Sequence, residues 1–203
     1  MMIQRNVYVV DDDMKILDLM QSVLTLEQFS VSCFESAEAF LEKTPSDAQG
    51  CLLMDLVMPG MGGIELQAHV QAHYPGLAIV VVSGAADVST AVKVMHNGAI
   101  TLLEKPFQVH QLTLAIQQAL NRSEQRSQRL AVSADLGKRL SKLSQEEQHV
   151  MKYMVRGVSN KQAAKELDIG ARTLDRRRAA VLDKMHVDSV AELASALTTF
   201  QYV

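Results

Sequence analysis

Two apolar patterns alternate along the first 121 residues of the chain. Short runs rich in β-branched residues, typical of buried strands, are followed by stretches with the three- to four-residue apolar repeat of amphipathic helices. Strict alternation of strand and helix predicts an α/β fold with a parallel, doubly wound sheet. The predicted strands are 7–10, 31–34, 51–53, 77–82 and 101–103, and the predicted helices are 14–26, 36–42, 63–73, 88–96 and 108–120.

The pattern changes after residue 121. Residues 122–140 lose the apolar stripe and are rich in Arg, Ser, Glu and Gln, which is typical of a solvated helical linker. Beyond them the sequence predicts only short helices, at 144–155, 160–167, 172–185 and 189–197. We therefore predict two domains, 1–121 and 141–203, joined by a linker over 122–140, with the second domain all-α.

Charge divides the chain in the same region. Residues 1–121 contain 5 Lys and Arg against 13 Asp and Glu, a net charge of −8, whereas residues 122–203 contain 15 against 10, a net charge of +5. This asymmetry predicts an acidic module joined to one that meets nucleic acid. No apolar run approaches the roughly 18–20 residues of a membrane span, and the first residues do not resemble a secretory signal peptide. We expect a cytoplasmic protein without a membrane partner.

Polar side chains follow four of the predicted strands where each strand ends. Asp11 and Asp12 follow the first strand, Asp55 the third, Ser83 the fourth and Lys105 the fifth. In a doubly wound sheet, ligand chemistry gathers at this carboxyl edge. Carboxylates placed so close together repel one another unless a cation joins them, and hard oxygen ligands suit Mg²⁺. The sequence therefore predicts a magnesium site at this edge.

Four motifs mark these strand ends: Val-Val-Asp-Asp-Asp, Leu-Met-Asp-Leu-Val-Met-Pro-Gly-Met-Gly-Gly, Val-Val-Ser-Gly and Glu-Lys-Pro-Phe. With them the chain resembles the receiver domain of two-component response regulators over roughly residues 4–121. The resemblance implies a five-stranded, flavodoxin-like sheet. The resemblance implies that Asp55 is the phosphoacceptor and that Ser83 and Lys105 contact the phosphoryl group. It also implies that Mg²⁺ is bound by Asp12, Asp55 and the backbone carbonyl of Val57, with Asp11 supporting the metal through water.

The second half contains a helix-turn-helix pattern. Ser144 and Glu147 form a predicted capping box, and Gly157-x-Ser159-Asn160-Lys161 leads through a Gly-containing turn to Arg172-Thr173-Leu174. These motifs resemble the LuxR/NarL/FixJ-type DNA-binding domain over about residues 140–197. The resemblance implies that residues 171–185 form the recognition helix. Arg176 is the main base-reading candidate on it, because its guanidinium suits O6 and N7 of guanine. The other predicted DNA contacts are Lys161, Arg172, Thr173, Asp175, Arg177 and Ala179.

The two resemblances together imply a transcription regulator rather than an enzyme, apart from phosphoryl transfer to and hydrolysis from its own receiver. A sensor histidine kinase is expected to phosphorylate Asp55, and the receiver is expected to control homodimerisation and binding to double-stranded DNA. One residue departs from the family: Leu102 stands where a switch aromatic is usual. This departure leaves open a regulator that binds DNA independently of phosphorylation.

Two further interpretations compete with this one. Asp11-x-Asp13 after an apolar strand resembles the nucleophile motif of haloacid-dehalogenase-type phosphatases, but the next two residues, Met14 and Lys15, do not fit that motif. Alternatively, the helical half serves as a protein-interaction adaptor without DNA binding.

Overall fold

The computed structural model describes residues 5–84 and 87–199. The chain divides into two compact units, residues 1–128 and 129–203. Both predicted domains include terminal residues, 1–4 and 200–203, that lie outside the described part of the chain.

The first unit alternates strand and helix, as the apolar pattern predicts. Its five strands are parallel and pair in the order β2-β1-β3-β4-β5, which confirms the doubly wound, flavodoxin-like sheet. The strands are β1 (Asn6–Val10), β2 (Ser30–Phe34), β3 (Gly50–Asp55), β4 (Leu77–Ser83) and β5 (Thr101–Glu104). The helices are α1 (Met14–Leu26), α2 (Ala37–Lys43), α3 (Gly63–His73), α4 (Val88–His96) and the first part of α5 (Val109–Leu140), which continues past residue 128.

Polar side chains fix where three of these helices begin. A carboxylate oxygen of Asp13 accepts a hydrogen bond from the Lys15 N–H at 2.8 Å at the start of α1. Ser36 caps α2 and Asp87 caps α4 in the same manner. Each cap satisfies a backbone donor that the first helical turn leaves without a partner.

Alternate residues of the strands point to opposite faces of the sheet, and each face has its own core. Val9, Leu53 and Val80 pack with the buried faces of α1 and α5. The other face packs with α2, α3 and α4 around Phe40, which is fully buried. Because both faces are covered, the central strands are apolar almost throughout.

The fifth helix continues through the stretch predicted as a helical linker. The sequence predicts a helix over 108–120 and a solvated helical linker over 122–140, and α5 runs without a break to Leu140 while it buries two residues of that stretch. Ser123 is buried because its hydroxyl donates to Gly76 O at 2.6 Å and accepts from Gly50 N at 3.0 Å. Leu136 is buried in the core of the second unit because Leu136, Leu140 and Leu143 repeat at helical spacing.

The second unit is helical in its described part, as predicted. Leu174, Val181 and Met185 of its longest helix after α5 lie in a core shared with the other helices. Its further helices are α6 (Gln145–Val155), α7 (Asn160–Glu166), α8 (Ala171–Met185) and α9 (Val190–Thr199). Within residues 5–84 and 87–199, no helix combines the length and hydropathy that crossing a membrane requires.

Candidate functional site

The register of the sheet brings the predicted pocket residues to one edge. Val10 pairs with Met54 on the adjacent strand. Asp11, which follows β1, and Asp55, which ends β3, therefore lie at the same level of the sheet. Asp55 pairs with Val82, and Ser83 pairs with Glu104. Lys105 follows directly, and its N–H donates to Ser83 O at 2.8 Å. Parallel pairing therefore places carboxylates, a hydroxyl and an ammonium at the carboxyl edge of four strands.

Lys105 joins the two buried carboxylates of this edge. Its Nζ lies 2.6 Å from Asp55 Oδ2 and 2.9 Å from Asp11 Oδ2. The Asp55 side chain is 12% exposed and that of Asp11 is 6% exposed. Partial burial opposes the charged ammonium, but hydrogen bonds to Asp55 and Asp11 outweigh it, so the pKa of Lys105 is raised. The ammonium offsets the repulsion between two carboxylates that water screens poorly.

The second oxygens of both carboxylates bind backbone. Asp55 Oδ1 accepts from Val57 N at 3.1 Å, and Asp11 Oδ1 accepts from Asp13 N at 2.9 Å. These bonds orient the carboxylates and leave Asp13 as the cap of α1. Asp12 lies between Asp11 and Asp13 in the sequence, and its side chain is exposed.

The donor set of this edge fits Mg²⁺ by its chemistry. Asp11, Asp12 and Asp55 supply hard carboxylate oxygens, and Mg²⁺ is usually held by one or two carboxylates while it keeps several waters. Among the described residues, no group of three or more His, Cys, Asp or Glu is arranged to hold a metal ion, which agrees with a site that one or two carboxylates form together with water. The edge therefore fits a partly hydrated hard cation.

The two remaining residues of interest lie on β4 and β5. Ser83 is 1% exposed at the end of β4. Leu102 is partly buried and packs against the core that contains Phe40. The position at which the receiver resemblance expects an aromatic residue therefore holds a leucine that packs against an apolar core.

One contact of the loop that follows Asp55 is not indicated by any pattern in the sequence. A carboxylate oxygen of Glu38, on α2, accepts a hydrogen bond from Met61 N at 2.8 Å in the loop between β3 and α3. The two residues are 23 positions apart, and no motif links them. A side-chain contact to loop backbone leaves no periodic pattern in a sequence.

The predicted DNA-binding residues lie on α7 and α8 of the second unit. Ser159 caps α7, and the capping box of Ser144 and Glu147 begins α6. On α8, Leu174 is buried, whereas the predicted groove residues Asp175, Arg176 and Ala179 are exposed. Lys161 and Arg172 are also exposed, and Thr173 is half-buried.

Arg177 occupies a different side of α8 from Arg176. It stands three positions after Leu174 and four before Val181, both of which are buried, and it is half-buried itself. Its charge also acts on Glu146 at the start of α6. Arg177 therefore lies toward α6 rather than on the fully exposed face of the helix.

A salt bridge fixes α8 against the start of α6. Lys184 Nζ lies 2.7 and 2.8 Å from the two carboxylate oxygens of Glu147, which also accepts from Ser144 N. The hydrogen bond from Lys184 is the main reason that the pKa of Glu147 is lowered. The salt bridge between Lys184 and Glu147 holds α8 against the start of α6 within the second unit.

Comparison with known proteins identifies both units. Residues 7–117 match the family described as the response regulator receiver domain, and residues 141–197 match the bacterial regulatory proteins of the luxR family. The chain belongs to the response regulators. The family match favours the receiver interpretation of the aspartates over the haloacid-dehalogenase one. It also favours DNA binding over an adaptor role for the helical half.

Relatives of the same domain order support this assignment. The response regulator is 38% identical over 188 residues to the transcriptional regulatory protein FixJ of Bradyrhizobium diazoefficiens, covering 93% of this chain and 92% of FixJ. It is 35% identical over 187 residues to the response regulator protein TodT of Pseudomonas putida, covering 92% and 82%.

Two solved structures resemble the whole response regulator. That of the response regulator StyR has a TM-score of 0.86 at 36% identity and covers 96% of this chain and 98% of its own. That of full-length FixJ from B. japonicum has a TM-score of 0.60 at 36% identity and covers both chains completely.

Proposed function

We propose that Asp55 accepts a phosphoryl group from a sensor histidine kinase and that this modification controls dimerisation and DNA binding. The observation that carries the proposal is the Lys105 ammonium held between Asp55 and Asp11 at the carboxyl edge of the sheet. The ammonium already neutralises carboxylate charge where a phosphoryl group would arrive.

Asp55 serves as the nucleophile in this proposal. One carboxylate oxygen attacks phosphorus, the P–N bond to the kinase histidine breaks, and the histidine nitrogen leaves with the bonding electrons, while an acyl phosphate forms. A carboxylate oxygen attacks without losing a proton, so this step needs no general base. Lys105 then exchanges part of its contact with Asp55 for a phosphoryl oxygen, and the Ser83 hydroxyl contacts another. Hydrolysis of the acyl phosphate reverses the signal without a separate enzyme.

The same edge would hold Mg²⁺. Asp12, Asp55 and the backbone carbonyl of Val57 would bind the ion, and Asp11 would reach it through water. Bound there, Mg²⁺ would neutralise charge on the transferring oxygens. Asp55 and Asp11 are already oriented by the backbone bonds at 3.1 and 2.9 Å.

Exposed apolar residues beside the pocket support a protein donor for the phosphoryl group. Met14, at the start of α1, is 56% exposed, and Val57, two residues after the phosphoacceptor, is 76% exposed. Apolar side chains that flank a reactive carboxylate are suited to be covered by a protein partner. Because both the kinase and the DNA act inside the cell, the protein is assigned to the cytoplasm.

Helix α4 supports a receiver homodimer. Val88, Val92 and Met95 repeat at i, i+4 and i+7 and are 81%, 63% and 44% exposed. Val94 is the buried residue of the same helix. An unpartnered apolar stripe on the helix that follows Ser83 provides a surface that a second copy can cover in a twofold arrangement.

The second unit reads double-stranded DNA in this proposal. The exposed face of α8 enters the major groove, where the guanidinium of Arg176 is suited to O6 and N7 of guanine. The remaining contacts are proposed for Lys161, Arg172, Thr173, Asp175, Arg177 and Ala179.

The proposal is tested by intact mass after incubation with Mg²⁺ and acetyl phosphate, followed by size-exclusion chromatography. The wild type is expected to gain one phosphoryl group and to shift to a dimer. Asp55→Ala is expected to do neither, whereas Asp47→Ala, which removes an exposed carboxylate elsewhere in the receiver, behaves as the wild type. Absence of a wild-type adduct, or an adduct that persists in Asp55→Ala, contradicts the assignment of Asp55.

A second candidate follows from Leu102. Because residue 102 is a leucine, which packs against an apolar core, this position has no aromatic ring that could rotate to report phosphorylation. The candidate is a regulator that binds DNA with the same affinity in both states. Equal DNA affinities of the wild type with and without phosphodonor, despite a verified adduct, would favour it.

A further inference from the structure

The loop between β3 and α3, residues 56–62, lies directly after the proposed phosphoacceptor. It is closed by a hydrogen bond from Gly63 N to Leu56 O at 3.0 Å and anchored by Met58, which is 8% exposed. Val57 stands between these anchors and is itself 76% exposed. The orientation of its carbonyl, which the proposed function assigns to Mg²⁺, therefore depends on what holds the rest of the loop.

Glu38 holds the other end of this loop. Its Oε1 accepts the Met61 N–H at 2.8 Å from the first turn of α2, whose start is fixed by the Ser36 cap. A hydrogen bond to a charged acceptor is stronger than one between neutral groups. The Met61 N–H is also the main reason that the pKa of Glu38 is lowered, so the carboxylate stays ionised near neutral pH.

Gly60 allows this close approach. Its φ of +74° is in the left-handed region, and a Cβ at this position would lie 2.7 Å from Glu38 Oε1. A side chain at residue 60 would displace the carboxylate from Met61. The loop backbone and the Glu38 side chain are therefore fitted to each other.

We propose that Glu38 is a positioning residue for the phosphorylation site. By binding Met61 N, it holds the loop in the conformation in which the Val57 carbonyl can serve as a metal ligand. The inference rests on the proposed function, because it assigns Glu38 a role only if the pocket binds Mg²⁺. Glu38 touches neither the metal nor the phosphoryl group and acts through the loop backbone.

Loss of the contact is expected to weaken Mg²⁺ binding rather than to slow the chemical step. Without the hydrogen bond the loop samples other conformations, and the apparent affinity falls with the fraction of molecules in the competent one. For one solvent-exposed hydrogen bond we expect Glu38→Ala to bind Mg²⁺ about threefold to tenfold more weakly. Phosphorylation by acetyl phosphate should slow at low Mg²⁺ and recover at saturating Mg²⁺.

The test uses the full chain and MgCl₂ as the probe. Mg²⁺ affinity is measured by isothermal titration calorimetry, and the rate of adduct formation is followed by intact mass over a range of Mg²⁺ concentrations. Glu38→Gln keeps an acceptor oxygen but removes the charge. Glu42→Ala removes an exposed carboxylate from the same helix without touching the loop. Hydrogen exchange of the β3 peptide verifies that each variant is folded.

A weakened Glu38→Ala, a Glu38→Gln closer to the wild type and an unchanged Glu42→Ala support the inference. Equal weakening in Glu38→Ala and Glu42→Ala assigns the effect to the general charge of α2 and overturns it, as does a Glu38→Ala with wild-type affinity. A loss that saturating Mg²⁺ does not restore also overturns it. If the wild type itself shows no Mg²⁺-dependent adduct, the proposed function fails, and that failure is seen before any variant is compared.

Discussion

Ser123 offers the clearest test of how α5 is attached to the receiver. Its hydroxyl donates to Gly76 O at 2.6 Å and accepts from Gly50 N at 3.0 Å, so one side chain joins the helix to the starts of β3 and β4. The residue is 4% exposed. Ser123→Ala removes both bonds in a place that water cannot readily reach.

The expected loss of stability in Ser123→Ala depends on the hydrogen bonds that Gly50 N and Gly76 O retain. Gly50 N retains a longer contact with Gly76 O at 3.3 Å, so neither backbone group is left wholly without a partner. Two lost hydrogen bonds with this partial compensation are expected to lower the free energy of unfolding of the receiver by about 1–3 kcal/mol. This loss corresponds to a roughly five- to 150-fold larger open population.

Hydrogen exchange of the β3 peptide measures that population, because the central strand exchanges through the largest openings of its domain. Ser127→Ala is the matched control. It makes the same substitution one turn later on α5, where the hydroxyl is buried but makes no hydrogen bond within the described residues. Any gain in helix propensity is shared by both variants. Equal exchange in Ser123→Ala and Ser127→Ala would refute the reasoning.

Three further outcomes follow from the structure. Gly63→Ala should lower the free energy of unfolding of the receiver by about 1–3 kcal/mol, because a Cβ at residue 63 would lie 2.2 Å from Asp55 O. The loss is measured as a lower midpoint of urea denaturation, and an unchanged midpoint would contradict the close contact. Lys184→Met should lose less stability than the wild type as pH falls below 4.5, the ordinary pKa of Glu147. In the wild type Lys184 lowers the pKa of Glu147, so the salt bridge stabilises the fold until Glu147 is protonated, and Lys184→Met has no such stabilisation to lose. Parallel pH profiles of the two proteins in chemical denaturation would argue against this. Arg176→Ala should weaken binding to a selected DNA site by about 1–3 kcal/mol more than to random DNA in fluorescence anisotropy; an equal loss on both would assign Arg176 to phosphate contacts.

Most of the fold could be predicted from the sequence because a parallel sheet covered on both faces leaves a strong pattern. The bounds of α1, α3 and α4 are those that the apolar spacing predicts. The burial of Ser123 and Leu136 on α5 was not predictable in this way. Leu136 and Leu140 lie among charged residues that conceal their helical spacing, and Ser123 is buried by hydrogen bonds to backbone rather than by an apolar side chain.

The candidate site was partly predictable for a related reason. Parallel strands bring their carboxyl ends to one edge, so the approach of Asp11, Asp55 and Lys105 follows from their positions after strands. The contact between Glu38 and Met61 does not, because it depends on the left-handed backbone of Gly60.

Arg177 is an intermediate case. Its spacing from Leu174 places it on the inward half of α8, so a helical projection would have separated it from Arg176. Its charge, and not its place on the helix, is what favours a DNA contact. Its DNA contact stays a prediction.

The central claim is that phosphorylation of Asp55 controls DNA binding. The most direct test measures the affinity for a DNA site selected from a random pool, with and without acetyl phosphate and Mg²⁺, for the wild type and Asp55→Ala. We expect tighter binding by the phosphorylated wild type and no response from Asp55→Ala. A wild-type affinity that does not change although mass spectrometry verifies the adduct, or an equal response from Asp55→Ala, would contradict the claim.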